Sequence, residues 1–352
     1  MKITHIHIER FRGFQNEDFE VGSLLTAIAG QNGTQKSTLL GIITQTFTLK
    51  TEDSMRVEKP LCGGSYISAF KDKFRLSPTF DKPKGHEWTI SFDAGMDDFT
   101  VESIKRTGDP NVRFWKKGAR QEGDGYISFP TIFLSLKRLV PVAEEAKIIT
   151  DDTLLTQEEL NEFKQLHNKI LIAQTPISSA TTITSKNKQS IGVSTELYDW
   201  NQNSMGQDNL GKIILALFSF KRLHDKYPRQ YKGGILAIDE MDATMYPASQ
   251  VELLKVLRKY ASKLNLQILF TTHSMSLLKA MDDLVQEVTK KEETANQAKI
   301  LYLKKVDDKI AIKQGVNFKG IQLDLNVVAE GNNRKKNRIT AYTEDKENIL
   351  FV

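Results

Sequence analysis

The sequence predicts an α/β fold whose central sheet is mainly parallel. Two short apolar runs, Ile235 to Ile238 and Leu266 to Phe270, are typical of strands that are buried on both faces of a parallel sheet. Before them, the nearly continuous apolar stretch from Leu210 to Leu223 is expected for a buried helix. Strands that alternate with helices in this way indicate the α/β class.

The N-terminal segment predicts two strands and a helix. Ile3 to Ile8 alternates apolar and polar side chains as a half-buried strand does, and Leu24 to Ala29 is a second strand that runs into a glycine-bearing loop. Arg12-Gly13-Phe14 is predicted to form a turn, and a helix from Ser37 to about Phe47 should follow the loop. Strand-like stretches from Glu87 to Phe114 predict a small antiparallel β subdomain.

A buried strand and a short helical insertion are predicted between the two halves of the chain. The strand runs from Thr131 to Leu136, where most side chains are apolar. Thr156 and Glu159 form a capping box, which starts a helix that runs to about Ile172. The polar stretch from Ser178 to Ser190 is predicted to be a loop.

Composition limits the class of protein. A length of 352 residues suits one large domain or two modest ones, and 39% hydrophobic with 26% charged residues is ordinary for a globular protein. No run approaches the roughly 18 apolar residues that span a bilayer, and the N-terminus lacks the pattern of a signal peptide. We therefore expect a cytoplasmic protein with no membrane partner. The single cysteine, Cys62, excludes an intramolecular disulfide and a cysteine metal cluster.

The net charge of +5 is compatible with nucleic-acid binding but does not establish it. Between Lys299 and Arg338 there are ten Lys and Arg against four Asp and Glu, a local excess of 10 − 4 = +6. A solvated basic face or linker explains this excess about as well as a phosphate-binding surface does.

The clearest candidate site is the loop Gly30-Gln31-Asn32-Gly33-Thr34-Gln35-Lys36-Ser37-Thr38, between a predicted strand and a predicted helix. Such a loop cradles phosphates with its backbone N–H groups, while its lysine reaches the β- and γ-phosphates and its hydroxyl binds Mg²⁺. Gln35 replaces the glycine expected before the lysine, so the loop must tolerate a side chain or follow a different path. The predicted nucleotide-binding residues here are Gly30, Asn32, Gly33, Gln35, Lys36, Ser37 and Thr38.

Polar residues follow two of the predicted parallel strands. Asp239 and Glu240 come directly after one of them, at the strand end where ligands bind in open α/β sheets. We predict that Asp239 supports Mg²⁺ through water and that Glu240 activates the attacking water. His273 follows the other strand and is predicted to contact the γ-phosphate. A solvated acidic turn and a surface histidine are the alternatives, but the nearby loop favours ATP and Mg²⁺ as cofactors.

With these parts the chain resembles the ABC-type ATPases that include the SMC and RecF proteins, from Met1 to about Lys313. The resemblance implies an ABC-type P-loop ATPase head. It also implies a role for Asn203-Ser204-Met205-Gly206-Gln207-Asp208, which resembles the signature sequence of the family. In the family, this serine and glycine bind the γ-phosphate held by the partner subunit. Ser204 and Gly206 would therefore complete a site across a homodimer or a higher even oligomer, although the segment alone is only a helix-start signal.

Three further segments match positions of that family. Asp242 and Met245-Tyr246-Pro247 stand at the place of its dimer-contacting loop, and Leu134-Ser135-Leu136-Lys137-Arg138-Leu139 resembles a strand typical of the SMC-like subgroup. Arg12 stands where members often have a basic residue near the nucleotide. The resemblance thus adds Arg12, Ser204 and Gly206 to the nucleotide-binding residues, which also include Asp239. Ser37 and Asp239 are the predicted Mg²⁺ ligands, and Glu240 and His273 are the predicted catalytic residues.

The short insertion distinguishes this chain from true SMC proteins, because SMC chains carry hundreds of residues of heptad repeat at this place. The compact heads of OLD-family nucleases and of PtuA-type anti-phage ATPases, including retron-associated ones, are more similar. That implies control of a DNA-directed nuclease, as a following domain or as a separate partner protein. A non-hydrolysing ATP-bound assembly module, which Gln35 favours, and a RecF-like DNA-repair ATPase are the alternatives.

The predicted organisation has four parts. They are an N-lobe with the loop and β subdomain at 1–140, the helical insertion at 141–200, a C-lobe at 201–315, and a basic linker at 316–352. The last part resembles the start of a TOPRIM nuclease domain, in which Glu344 would bind a metal. A terminal strand and helix packed on the ATPase explain it equally well. The further acidic motif of a TOPRIM site is not in this sequence, so no nuclease activity is predicted for the chain alone.

Overall fold

The computed structural model describes residues 1–67, 70–93, 95–105, 112–118, 125–139, 149–151, 154–173, 175–184 and 189–325. The strands are β1 Ile3–Phe11, β2 Phe14–Glu20, β3 Leu25–Gly30, β4 Phe47–Thr48, β5 Glu87–Phe92, β6 Phe99–Lys105, β7 Val112–Lys116, β8 Ile127–Ser128, β9 Thr131–Leu134, β10 Ile149–Asp151, β11 Ser179–Thr184, β12 Gln189–Ser194, β13 Gly234–Ile238, β14 Leu266–Thr272, β15 Ala298–Val306 and β16 Lys309–Lys313. The α-helices are α1 Lys36–Thr44, α2 Phe70–Lys73, α3 Gln157–Leu171, α4 Met205–Lys226, α5 Pro247–Lys263 and α6 Met275–Val288. The chain divides into two compact units, Met1–Gly315 and Val316–Val352. In the second unit the structure describes a helix at 318–325.

The central sheet has six strands in the order β16-β15-β3-β14-β13-β9. All neighbouring strands pair in parallel except β15 and β16, which confirms the predicted mainly parallel sheet. Strands β3, β13 and β14 are buried along their whole length. Their continuous apolar sequences follow from this burial on both faces. Because these strands are parallel, their carboxyl ends meet at one edge of the sheet.

An antiparallel sheet of five strands, in the order β2-β1-β5-β6-β7, forms the predicted β subdomain. Strands β1 and β2 are joined by the predicted turn at Arg12 and Gly13. Aromatic rings fill the space under this sheet, and Phe114 packs edge-on against Trp88 with 5.1 Å between ring centroids. One continuous hydrophobic core joins this sheet, helix α1 and the central sheet. The turn at Arg12 is thereby held on the same body as α1.

The predicted loop from Ser178 to Ser190 is wrong. Strands β11 and β12 occupy most of this stretch, and they form an antiparallel three-stranded sheet with β10. Ile183, Ile191 and Val193 are buried there. The many Ser and Thr residues between these apolar side chains made the stretch resemble a loop, although threonine is itself favourable in strands. The described part of the insertion therefore holds this sheet beside helix α3, which begins with the predicted capping box.

Two predicted element ends are also wrong. Strand β9 ends at Leu134, and Leu136–Leu139 forms a 3₁₀ helix instead of the predicted strand. The reason is that its partner β13 ends at Ile238, so little backbone remains for β9 to pair with beyond Leu134. Helix α1 ends at Thr44, and Phe47 starts the short strand β4, which pairs with β8. Among the described residues, no helix combines the length and apolar character that crossing a membrane requires.

Candidate nucleotide site

The loop between β3 and α1 contains two glycines with positive φ angles. Gly30 has a φ of 152°, and a Cβ there would lie 2.4 Å from the carbonyl oxygen of Leu303 on the neighbouring strand β15. Gly33 adopts a φ of 81°, a left-handed conformation that glycine permits without strain. The hydroxyl of Thr34 donates to the carbonyl of Gln31 at 2.8 Å and fixes the loop internally. Asn32 lies exposed between the two glycines.

Lys36 is buried at the start of α1, with 7% of its surface exposed. Its Nζ donates to the carbonyl oxygens of Gly30 and Gln31 at 3.1 and 3.0 Å. Since an ammonium group has three N–H donors, these bonds leave one for a phosphate oxygen. Burial lowers the pKa of Lys36, and the carboxylates of Glu240, Asp239 and Asp242 oppose that effect. The lysine is thus held over the loop, and the acidic groups that follow β13 raise its pKa.

Gln35 takes the left-handed conformation that glycine would take at this position, with φ 61° and ψ 32°. The loop therefore tolerates the side chain and keeps its path. The side chain lies against the β1–β2 turn, because a Cβ placed on Gly13 would be 2.8 Å from Gln35 Nε2. This placement directs the amide toward the β subdomain.

Ser37 and Asp239 meet at the carboxyl edge of the sheet. The Ser37 hydroxyl donates to Asp239 Oδ1 at 2.9 Å, and the hydroxyl of Thr271 donates to the same oxygen at 2.8 Å. Hydroxyl and carboxylate oxygens are the ligands that Mg²⁺ prefers, so these two residues fit the predicted metal. Ser37 and Asp239 would hold a magnesium ion here, and its charge would offset the negative charge of phosphate oxygens.

Thr271 is a residue of the candidate site that the sequence prediction missed. Besides contacting Asp239, its Oγ1 accepts a hydrogen bond from the backbone N–H of Glu240 at 2.6 Å. It therefore ties the end of β13 to the end of β14. The available signal was its position in Thr271-Thr272-His273, directly after an apolar strand.

Glu240 and His273 occupy the ends of two adjacent strands. Glu240 has a φ of 49° where the chain leaves β13, and its side chain is half-buried. The backbone N–H of His273 donates to Asp242 Oδ1 at 3.3 Å. Burial lowers the pKa of His273, as does the charge of Lys36, whereas the neighbouring carboxylates raise it. The imidazole is consequently neutral near pH 7 and can donate or accept a hydrogen bond.

Arg12 reaches the same site from the antiparallel sheet. Its guanidinium donates to both carboxylate oxygens of Asp81, at 3.1 and 3.0 Å, and Nη1 lies 3.4 Å from Thr38 Oγ1 on α1. Burial alone would raise the pKa of Asp81, but hydrogen bonds from Arg12, from the Ser77 backbone and from His86 outweigh it and lower the pKa to about 2. Asp81 therefore stays ionised and holds the arginine against the nucleotide loop.

The predicted signature segment lies against the chain that follows Glu240. Ser204 caps α4, accepting from the Gln207 backbone N–H at 3.3 Å, and its own N–H donates to the Gln207 side chain at 2.8 Å. A Cβ on Gly206 would lie 2.5 Å from the carbonyl oxygen of Thr244. The signature and the predicted dimer-contacting loop are thus immediate neighbours. Glu344, the predicted TOPRIM-type ligand, lies outside the described residues.

Comparison with known proteins bears on the fold and on the class of enzyme. A family model described as an AAA ATPase domain matches residues 135–278, which include the signature segment, Asp239, Glu240 and His273. A search of curated proteins found no match. A crystal structure of an SMC head bound to the C-winged helix domain of ScpA is 13% identical with a TM-score of 0.53, covering 92% of this chain and 100% of that chain.

Two further solved structures are similar at lower scores. The SMC head domain from Thermotoga maritima is 14% identical with a TM-score of 0.49, covering 90% of this chain and 100% of its own. An SMC head from Pyrococcus furiosus is 12% identical with a TM-score of 0.47, covering 93% and 99%. The match to the ScpA-bound head confirms the predicted SMC-like P-loop head fold. The chain thus has the fold of an SMC head, and residues 135–278 match an ATPase domain.

Proposed function

We propose that this ATPase binds ATP with Mg²⁺ at the edge of the central sheet and hydrolyses it there. The observation that carries the proposal is the 2.9 Å hydrogen bond between Ser37 and Asp239, which joins the phosphate loop to the acidic strand end. Lys36 directly precedes Ser37 in the loop, and the carboxylates of Glu240 and Asp242 are close enough to raise the pKa of Lys36.

Each residue then has a defined role. The backbone of the Gly30 to Thr38 loop cradles the phosphates, and Lys36 neutralises their charge. Glu240 orients the attacking water, and neutral His273 donates to the γ-phosphate. Arg12 supports the phosphate nearest the nucleoside. Ser37 and Asp239 support the metal.

We further propose that two copies close on ATP as a homodimer. Ser204 and Gly206 stand at the N-terminus of a 22-residue helix, whose positive dipole end attracts an anion. Met205 and Tyr246 beside them are exposed large side chains, at 43% and 63%. A second copy that covers these side chains would place its own γ-phosphate at Ser204.

ATP turnover of the wild type and of Glu240→Gln tests the site. We expect steady turnover in the wild type, loss of at least a hundredfold in the variant, and retained ATP binding in both. The matched control, Glu293→Gln, changes an exposed glutamate outside the site and should turn over ATP normally. Equal turnover in the wild type and Glu240→Gln would remove the proposed role of Glu240.

The dimer is tested by light scattering of Glu240→Gln with and without ATP. We expect a mass of one chain without ATP and of two chains with it, because hydrolysis no longer reopens the dimer. Adding Ser204→Arg to Glu240→Gln should block this change, since an arginine at the helix start would collide with the partner's nucleotide. A single-chain mass under all conditions would contradict the dimer.

For the biology, we propose that the head acts in the prokaryotic cytoplasm and controls a DNA-directed nuclease in anti-phage defence. The compact insertion supports this, since its described part consists of one 15-residue helix and a three-stranded sheet. Expression with the native neighbouring genes in a phage-sensitive bacterium tests it. We expect the genes to protect the bacterium, Lys36→Ala to abolish the protection, and the purified native complex to cleave DNA. Equal plaque counts with and without the genes would reject the proposal.

A further inference from the structure

The carboxylate of Asp81 is held by four hydrogen bonds, two on each oxygen. Oδ1 lies 3.1 Å from Arg12 Nε and 3.0 Å from His86 Nε2. Oδ2 accepts from Arg12 Nη2 at 3.0 Å and from the backbone N–H of Ser77 at 2.7 Å. Each oxygen thus has one bond to Arg12 and one to a second group, so His86 and Ser77 together set the orientation of the carboxylate.

This carboxylate in turn determines where the guanidinium of Arg12 points. Of its five N–H groups, two donate to Asp81, one to the Arg75 carbonyl at 2.7 Å and one to Thr38 Oγ1 at 3.4 Å. The fifth, on Nη1, has no partner among the residues that the structure describes. Because Nη1 is the nitrogen beside Thr38 on α1, its remaining N–H is available to an oxygen of a phosphate in the loop.

His86 lies directly before β5 and is buried, with 2% of its surface exposed. Burial lowers its pKa, although the hydrogen bond and the charge of Asp81 oppose that effect, so the imidazole is neutral near pH 7. Since an ionised carboxylate can only accept, the proton is on Nε2, which donates to Asp81. Nδ1 then accepts from the hydroxyl of Ser103 on β6 at 3.0 Å, which stabilises this tautomer.

The imidazole of His86 is also fixed by packing. Its ring centroid lies 4.6 Å from that of Phe11, the residue before Arg12, and 5.4 Å from that of Phe114 on β7. The backbone N–H of His86 donates to Ser103 Oγ at 3.2 Å. Strands β1, β6 and β7 therefore hold a donor of fixed direction against Asp81.

We propose that His86 is a positioning residue for the nucleotide, which holds Asp81 so that the remaining N–H of Arg12 is directed at the phosphates. This role rests on the proposed ATP binding and extends it into the buried interior of the β subdomain. Without the His86 donor, Ser77 alone anchors the carboxylate, which can then rotate about its Cβ–Cγ bond. The guanidinium thereby loses the fixed two-point contact that orients it.

A double-mutant cycle on His86 and Arg12 tests this role. Dissociation constants for a non-hydrolysable ATP analogue with Mg²⁺ are measured by calorimetry for the wild type, His86→Phe, Arg12→Ala and the double variant. Phenylalanine keeps the aromatic packing and removes the donor. We expect His86→Phe to weaken binding roughly fivefold when Arg12 is present and less than about twofold in the Arg12→Ala chain, because both changes remove the same interaction. His86→Gln, whose amide can donate to Asp81, should bind within about twofold of the wild type.

His167→Phe is the matched control, because His167 on α3 is also 2% exposed and also packs against an aromatic ring. It should leave the affinity unchanged. An equal loss from His86→Phe with and without Arg12 would overturn the proposal, since the effect would not pass through Arg12. No loss in His86→Phe, or the same loss in His167→Phe, would overturn it as well.

The tautomer of His86 provides a second measurement, made on the wild type. With ¹⁵N-labelled histidine, NMR near pH 7 should show a protonated Nε2 and an unprotonated Nδ1 for the imidazole whose signals are missing in His86→Gln. A proton on Nδ1 instead would overturn the proposal, because Nε2 could not donate to Asp81. A wild type that binds no nucleotide would reject the ATP site and this role together, whereas the other tautomer or an additive cycle rejects the role of His86 alone.

Discussion

Gln35 holds a backbone conformation that is unfavourable for its residue type. A left-handed conformation costs a non-glycine residue about 1–2 kcal/mol, and Gln35 adopts it with φ 61°. Its side chain lies against Gly13, outside the phosphate loop. The departure from the usual loop sequence therefore changes local strain more than it changes the surface presented to phosphates.

We therefore expect Gln35→Gly to hydrolyse ATP at least as fast as the wild type and to be more stable by up to about 1 kcal/mol. Gln35→Val should lose turnover and stability, because a β-branched residue is strongly disfavoured in this conformation. Steady-state turnover and urea unfolding check both variants. A Val variant that folds and hydrolyses ATP like the wild type would show that the loop path is not constrained at this position.

Asp81 illustrates a residue whose role depends on a distant partner. It is buried, and it holds Arg12 by two hydrogen bonds across 69 residues of sequence. Asp81→Asn keeps the size but removes the charge, so we expect a loss of about 2 kcal/mol in stability and a several-fold higher KM for ATP. The kcat should change less, because Glu240 and His273 are untouched.

Urea unfolding and ATP kinetics measure these two effects. Asp53→Asn is the control. The Asp53 carboxylate accepts the backbone N–H of Met55 and does not contact Arg12, so this variant also removes a carboxylate that accepts a backbone N–H. If the Asp81 variant lowers kcat and leaves KM unchanged, Arg12 does not act on nucleotide binding.

The contiguous parts of the site could be predicted from sequence, whereas its supporting residues could not. Lys36 and Ser37 lie in one loop, and Asp239 and Glu240 directly follow one apolar strand, so a local pattern was enough to propose them. Asp81 and Thr271 act only through tertiary contacts, and no local pattern distinguishes them from other polar residues.

At the scale of elements, helix α4 links the predicted signature segment to the chain that follows β13. Gly206 allows the first turn of α4 to approach the Thr244 carbonyl, and Asn209 Nδ2 donates to the Ala243 carbonyl at 3.0 Å. The chain after Glu240 and the first turns of α4 are therefore in direct contact. This link connects the predicted water-activating residue to the predicted dimer contact.

Gly206→Ala should disturb this link, because its Cβ would meet a backbone oxygen at 2.5 Å. Gly211→Ala is the matched control in the same helix, where the nearest atom is a backbone oxygen at 3.3 Å and alanine gains up to about 1 kcal/mol in helix propensity. We expect Gly206→Ala to lower ATP turnover at least tenfold, while Gly211→Ala stays close to wild type. Turnover and thermal unfolding measure both, and equal effects would refute the proposed coupling.

The fold was predictable where apolar periodicity is strong and less so where neighbouring elements decide the outcome. Strands β13 and β14 and helix α4 have continuous apolar sequences and lie where predicted. Strand β9 ends early because its partner ends, and β11 is strand because it pairs with β10 and β12. Such pairing is not visible in a Ser- and Thr-rich sequence.

For the whole molecule, the insertion is fastened to the ATPase core by ion pairs. Arg222 on α4 donates to both carboxylate oxygens of Glu159 on α3, at 2.8 and 2.6 Å, and Lys221 pairs with Glu162 at 2.5 Å. Tyr260 on α5 also donates to Glu162. Helix α3 is thus bound to α4 and α5, which follow the predicted signature and the predicted dimer contact. A titratable group inside this packing should therefore affect the stability of the whole unit.

His167 on α3 is that group. It is 2% exposed, stacks on Phe163 with ring centroids 5.8 Å apart, and burial lowers its pKa to about 4. The folded protein therefore binds this proton less readily than the unfolded chain, whose histidine titrates near 6.5. Stability is at its full value above pH 6.5 and falls as the pH drops from 6.5 toward 4. At pH 5 the loss is roughly 2 kcal/mol.

His167→Leu should remove this part of the pH dependence, since leucine carries no proton at any pH. Urea unfolding at pH 7.5 and pH 5.0, followed by tryptophan fluorescence, gives the free energy of unfolding at each pH. We expect the wild type to lose roughly 2 kcal/mol more than His167→Leu between these conditions, as the difference in proton binding requires. His224→Leu, at an exposed histidine, should retain the wild-type dependence. Identical pH dependence in the wild type and His167→Leu would mean that His167 can be protonated without disturbing the packing of α3 on α4 and α5.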